Sequence, residues 1–244
     1  MRANLALALP HLSPQERLKI EKRSYHHLCD MFLEMIKTMT ISKKEMDKRF
    51  VFTNIEVFKN IENNKKSVAL MMAHYASYEW AMSITSLVDF ELYGIYKKIN
   101  NPYFDKLVHA IRSKFNATLI TTKQTIAVII QNNKIKKLCT YGFISDQSPR
   151  IKSVFHWQNF MGIEVPVHTG SEMLAKKYDM NVVFLKVKKV KRGFYEASFD
   201  VISENVREVP NYEITDQFLK LVEQQIHEAP EFYLWTHKRW KHRR

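Results

Sequence analysis

A chain of 244 residues, 45% of them hydrophobic, can bury a sizeable core and fits one large domain better than two small ones. Its 38 Lys and Arg against 25 Asp and Glu, a net +13, exclude a neutral surface and point to an anionic partner: nucleic acid, acidic lipid or an acidic carrier protein. Two cysteines, Cys29 and Cys139, exclude a disulfide framework and a Cys-based zinc site, and five glycines in neither a G-x-G-x-x-G nor a Walker pattern exclude a glycine-rich phosphate loop.

No apolar run reaches the roughly 18 residues that cross a bilayer. The short apolar stretch in residues 1–10 is a poor signal peptide and is expected to lead into the first helix. Ser13-Pro14-Gln15-Glu16 carries a capping box and a first-turn Pro. Leu18, Tyr25, Leu28, Phe32, Met35 and Met39 then recur at helical spacing, which predicts a long amphipathic helix over residues 14–39. A short helix from Ser42 and a minor strand at residues 50–52 follow. Residues 67–73, almost uninterruptedly apolar, suit a strand buried on both faces. Helix is expected at 78–87, 102–115, 123–132, 169–177 and 216–228, and strand at 90–96, 118–120 and 138–145. Residues 181–190 and 194–202 form a hairpin around Arg192-Gly193. The tail, 233–240, reads as a further helix. Strand–helix alternation implies an α/β fold with a mixed, mostly parallel sheet flanked by helices. The division expected is an N-terminal helical segment, 1–49, and an α/β unit, 50–244, forming one structural unit. Cys139 belongs to the core.

Sites in open α/β sheets gather at the carboxyl ends of strands. His74 lies where an apolar strand gives way to a helix, with Glu79 five residues on. An imidazole titrates near neutrality and serves as a general base; a carboxylate on its other nitrogen fixes the tautomer. With ten His and 25 acids, about one such spacing arises by chance. A His that caps a helix or bonds a buried neighbour is the plain alternative. Lys97 and Asp146 end other strands; singly, one is a solvated charge and the other a turn cap. Arg112 on its helix reads as a surface residue. No G-x-S-x-G elbow occurs, which disfavours a serine hydrolase.

Ala73-His74-Tyr75, with Glu79-Trp80, resembles the H-x4-D/E signature of glycerolipid-type acyltransferases, and more narrowly the late lipid A acyltransferases, in a style closest to Bacteroidetes members. Tyr96-Lys97-Lys98-Ile99-Asn100-Asn101-Pro102 resembles that family's Tyr-Arg-Pro-Leu-x-Asn-Pro block. Asp146-Gln147 resembles its strand-ending Asp-Gln, and Phe160-Met161-Gly162 its Phe-Phe-Gly. Residues 230–241 resemble its closing Pro-Glu-Gln-Tyr-x-Trp-x-His-x-Arg-Phe. The blocks keep their order along the whole chain. Ala76-Ser77 replaces the family's Gly-Asn, and Lys97 its Arg, which loses the bidentate fork.

The resemblance implies a glycerolipid acyltransferase-like fold and transfer of a fatty acyl group from a thioester to a hydroxyl of a lipid A precursor. The donor would be acyl carrier protein or a coenzyme A thioester. His74 would be the base and Glu79 its orienting partner. Lys97, Asp146, Gln147 and, more weakly, Arg112 would bind the anionic lipid acceptor. Neither metal nor cofactor is implied. A lysophospholipid or an amino-acid-containing lipid is an alternative acceptor. A basic nucleic-acid-binding protein and a non-catalytic membrane scaffold are rivals of other classes, although no nucleic-acid-binding motif occurs. Many family members carry an N-terminal membrane helix, and this chain starts just after the place it would occupy, so a peripheral protein of the cytoplasmic face of the bacterial inner membrane is expected. Basic residues in the hairpin, and Trp235 and Trp240 among the basic residues of the tail, have the composition of a bilayer-interface anchor.

Overall fold

The computed structural model describes the backbone of residues 1–244 and every side chain except that of Ser153. In chain order it runs α1 (Arg2–Ala8), α2 (Pro14–Thr38), α3 (Lys43–Arg49), β1 (Phe50–Phe52), α4 (Ile55–Asn63) and β2 (Val68–Met72). A 3-10 segment, Tyr78–Ser86, leads to β3 (Glu91–Tyr96), α5 (Pro102–Arg112), β4 (Thr118–Thr121), α6 (Thr125–Lys134) and β5 (Cys139–Ile144). The chain closes with β6 (Trp157–Phe160), β7 (Ile163–Pro166), α7 (Gly170–Tyr178), β8 (Asn181–Lys191), β9 (Phe194–Ser203) and α8 (Glu213–Glu228).

Seven strands form one sheet in the order β1-β9-β8-β2-β5-β3-β4. Only the β8–β9 hairpin pairs antiparallel; every other neighbour is parallel. The fold is thus α/β with a mixed, mostly parallel sheet flanked by helices. Central β2 is buried at all its positions, as its unbroken apolar run requires. One apolar core joins Leu5 and Leu9 at the N-terminus to β2, β8, α8 and, at the C-terminus, Trp235 and Trp240.

Three expectations are corrected. The tail beyond a short 3-10 turn at Pro230–Phe232 is not helical but a series of turns. Its tryptophans are core rather than interface anchors: Trp235 and Trp240 are 0% and 1% exposed, and their rings stack. Residues 78–86 take the tighter 3-10 form in place of an α-helix. α4 and the small β6–β7 hairpin carry no expectation, and the stretch expected only as a lead-in forms a helix of its own, α1. The hairpin turns on Met161 and Gly162, both at positive φ (55° and 76°), as a two-residue turn between strands demands.

α2 begins with the expected capping box: Ser13 Oγ accepts from the Glu16 amide, and the Glu16 carboxylate accepts from the Ser13 amide. Its orientation, however, is the reverse of an ordinary surface helix. Glu21, Ser24, His27, Glu34 and Thr38 face inward, while Tyr25, Phe32, Leu33, Ile36 and Met39 face outward.

Candidate active site

β2 and β5 are parallel neighbours with Met72 opposite Ile144. Two residues past each strand end stand His74 and Asp146, brought side by side by that register. His74 Nδ1 lies 2.7 Å from Asp146 Oδ1, and the His74 backbone amide donates to the same oxygen at 3.1 Å. Asp146 is fully buried, whereas the His74 ring is about 20% exposed. Burial works against the Asp146 charge, but the adjacent imidazole and the His74 hydrogen bonds outweigh it and hold the carboxyl below its ordinary range. With Nδ1 on a carboxylate, Nε2 is the nitrogen free to exchange a proton.

Glu79, expected against His74, bonds to Arg112 instead. Arg112 Nε donates to Glu79 Oε2 at 2.7 Å and Nη2 donates to Oε1, a planar two-pronged pair. Burial opposes the guanidinium charge, yet Glu79 more than compensates and raises its pKa. Arg112 is therefore a half-buried, carboxylate-paired group and not a free surface cation. Tyr78 stands next to His74, edge to face, with ring centroids 5.1 Å apart. Lys97 is exposed at the carboxyl end of β3, one strand over from Asp146, and Gln147 is half-buried beside Asp146. The structure thus joins His74 to Asp146 and Glu79 to Arg112, and leaves Lys97 at the rim.

The loop carrying His74 is pinned by the C-terminal segment. The Ala76 amide donates to Phe232 O at 2.9 Å, and the Leu234 amide donates to His74 O at 3.1 Å. Tyr75 Oη donates to Gln225 O and Ala229 O at 2.8 and 2.9 Å. Three side chains of that segment went unpredicted. Tyr233, fully buried near Asp146, has its pKa driven far up by burial and by the Asp146 charge. His237 Nε2 accepts from the Ser148 amide at 3.2 Å, and burial lowers its pKa. Arg239 is 1% exposed, donates to Pro166 O at 3.0 Å and lies 5.1 Å above the Phe160 ring. The only sequence signal for them was the closing block of the family resemblance. A cavity of about 10 Å³, room for one water, opens beside His74 and is walled by Ser24, His27, Leu28 and Met31 of α2.

A sequence profile described as bacterial lipid A biosynthesis acyltransferase matches residues 1–242. The chain belongs to that family. Among curated relatives, the lipid A biosynthesis lauroyltransferase of Escherichia coli (strain K12) is 24% identical over 241 residues, covering 98% of this chain and 78% of the relative. The palmitoleoyltransferase of the same organism is 22% identical over 244 residues, covering 99% and 78%. This lipid A acyltransferase family member is thus an enzyme of the transferase class, with an α/β scaffold that sets a His–Asp pair just past the ends of the central strands β2 and β5 and a Glu–Arg pair that joins the segment following β2 to α5. Among the described residues no helix is long and apolar enough to cross a membrane.

Proposed function

We propose that the chain moves a fatty acyl group from an acyl thioester, with acyl carrier protein as donor, to a hydroxyl of a lipid A precursor. His74 Nε2 takes the proton of the acceptor hydroxyl as its oxygen attacks the thioester carbonyl carbon. Asp146 holds Nδ1–H and stabilises the imidazolium that forms. The carbonyl oxygen becomes an oxyanion; when it collapses, the C–S bond breaks, and the thiolate leaves with the proton returned from Nε2. Arg112, held by Glu79, contributes positive charge to the oxyanion or to an acceptor phosphate. Lys97 at the rim contacts an anionic group of the acceptor. The reaction runs at the cytoplasmic face of the inner membrane with the enzyme bound peripherally.

The 2.7 Å contact between His74 and Asp146 carries this reading. It is tested by assaying purified protein with acyl carrier thioester and a panel of lipid acceptors. His74→Ala and Asp146→Asn are expected to lower turnover by about 10²–10⁴-fold with an unchanged fold. Glu79→Gln and Arg112→Gln should each lower turnover, and the double variant should be no worse than the poorer single one, because the two act as a unit. Full activity in Asp146→Asn would overturn the assignment. Turnover on a lysophospholipid but not on a lipid A precursor would replace the acceptor.

A further inference from the structure

α2 is built inside out, and the site explains only half of that. Its inward face is polar because it bonds the His74 loop and the sheet: Glu34 accepts from Ser77 Oγ at 3.0 Å and from Tyr195 Oη at 2.7 Å, and Thr38 Oγ1 accepts from Trp80 Nε1 at 2.8 Å. The outward face has no such partner. At 100° per residue, Leu18, Tyr25, Phe32, Leu33, Ile36 and Met39 fall within about 120° of one another. They run for about 30 Å along the helix. Each is 40–59% exposed. α5 touches α2 and adds Tyr103, Phe104 and Leu107, also exposed; Lys114, just beyond α5, donates to Met39 O at 2.7 Å. An exposed apolar stripe of this length, broken on the helix by Lys22 and Cys29, marks a docking face.

Charge identifies what docks. Along α2 the exposed charges are Lys19, Lys22, Arg23 and Lys37 against Glu16 alone. Beside the stripe, a groove of about 390 Å³ is lined by Tyr25, His26, Cys29, Asp30 and Arg192. Its neighbour, about 410 Å³, is lined among others by Lys22, Arg23, Lys191 and Arg192. Its two acids are already engaged: Asp30 by Lys189 and Arg192 at 3.1 and 2.8 Å, and Glu231 by Arg23 at 3.5 Å. A second copy of this chain would bring the same basic rim against itself. A bilayer with anionic headgroups matches both features: apolar side chains enter the acyl boundary while long basic ones reach to the phosphates.

We propose that the outward face of α2, with the exposed side of α5 and the basic tip of the β8–β9 hairpin, is a monotopic membrane-docking surface that seats on anionic lipid. The opposite face of the same helix walls the cavity beside His74, so docking would set that cavity one helix thickness from the lipid. The proposal rests on the peripheral binding that belongs to the acyl-transfer reading and names the surface that makes it; because binding is measured without turnover, it and the acyl-transfer chemistry fail separately.

Cys29, exposed within the stripe, can be labelled with an environment-sensitive dye while Cys139 stays buried. The full-length chain is then mixed with phosphatidylglycerol or phosphatidylcholine vesicles. Expected results are flotation and a blue-shifted label with phosphatidylglycerol. Phe32→Ser/Ile36→Ser should weaken binding by at least about 10-fold with an unchanged unfolding midpoint. Lys22→Glu/Lys191→Glu should remove the preference for anionic lipid. Phe32→Ser/Ile36→Ser should still turn over detergent-dispersed substrate, whereas His74→Ala should bind vesicles like the wild type without turning over. Vesicle binding unchanged in Phe32→Ser/Ile36→Ser would overturn the proposal. So would a wild-type dimer that this variant dissolves, since a second copy would then cover the face.

Discussion

Ala76 holds φ at +49° inside the loop that carries His74, a left-handed conformation that costs a residue with a Cβ about 1 kcal/mol or more. Gly takes this conformation without the Cβ penalty. Ala76→Gly is therefore expected to raise stability by about 0.5–1 kcal/mol, read as a higher urea midpoint; a lower midpoint would show that the methyl's buried contacts outweigh the strain. His27 behaves differently. It is buried edge-on against Phe232, centroids 4.9 Å apart, with the Lys189 ammonium 3.3 Å from Nδ1 and Asp30 nearby. Burial first, then the Lys189 charge, pushes its pKa down from 6.5 to about 4. Between those two values the unfolded chain takes up the proton and the folded one does not. Stability then falls as pH drops through that window, by about 3 kcal/mol, and is unaffected above it. Urea titrations at pH 6.5 and near pH 4.5 should show about 2 kcal/mol of this loss in the wild type and a visibly smaller loss in His27→Gln.

Among the elements, α2 shows what a pattern of residues does and does not reveal. Its limits were legible from Ser13, Pro14 and Glu16, and its period from the spacing of Leu18, Tyr25 and Phe32. Which face turns inward was not, because an apolar stripe is ordinarily buried and here Glu21, Ser24, His27, Glu34 and Thr38 reverse it. His74 and Asp146 were each legible as strand-end residues; their pairing was not, since β2 and β5 are far apart in sequence and become neighbours only through the sheet order. Spacing favoured Glu79, five residues from His74, but that carboxylate meets Arg112. β6 and β7, four residues each, and α4, where Ile55, Phe58 and Ile61 recur at helical spacing against the core, were open to sequence reading and escaped it. The inverted seam of α2 predicts that Glu34→Ala, which strands the Ser77 and Tyr195 hydroxyls, costs about 1–3 kcal/mol. Glu34→Gln, keeping an acceptor, should cost less. Equal losses in chemical denaturation would mean that the carboxylate's hydrogen bonds contribute little.

At the scale of the whole molecule, the two ends of the chain meet behind the site. Asn4, on α1, donates through Nδ2 to Trp235 O at 2.8 Å and His237 O at 2.7 Å. Trp235 in turn donates from Nε1 to Pro230 O at 2.6 Å, and the segment from Phe232 to Leu234 is bonded to the His74 loop. One amide thus ties the first helix to the strap that pins the His74 loop, with Leu5 and Leu9 packed in the same core. Removing that amide in Asn4→Ala leaves Trp235 O without its donor, while His237 O keeps the Arg239 amide at 2.9 Å, for a cost of about 1–3 kcal/mol. In a protein of this size that is a fall of roughly 2–10 °C in Tm. The chemistry should suffer as well, because Ala76 and His74 take their register from the strap. Asn4→Ala is expected to lower kcat more than it raises KM, with Asn4→Asp failing to rescue it, since a carboxylate cannot donate to either carbonyl. A drop in Tm with kcat intact would show that the strap stabilises the fold without holding His74 in place.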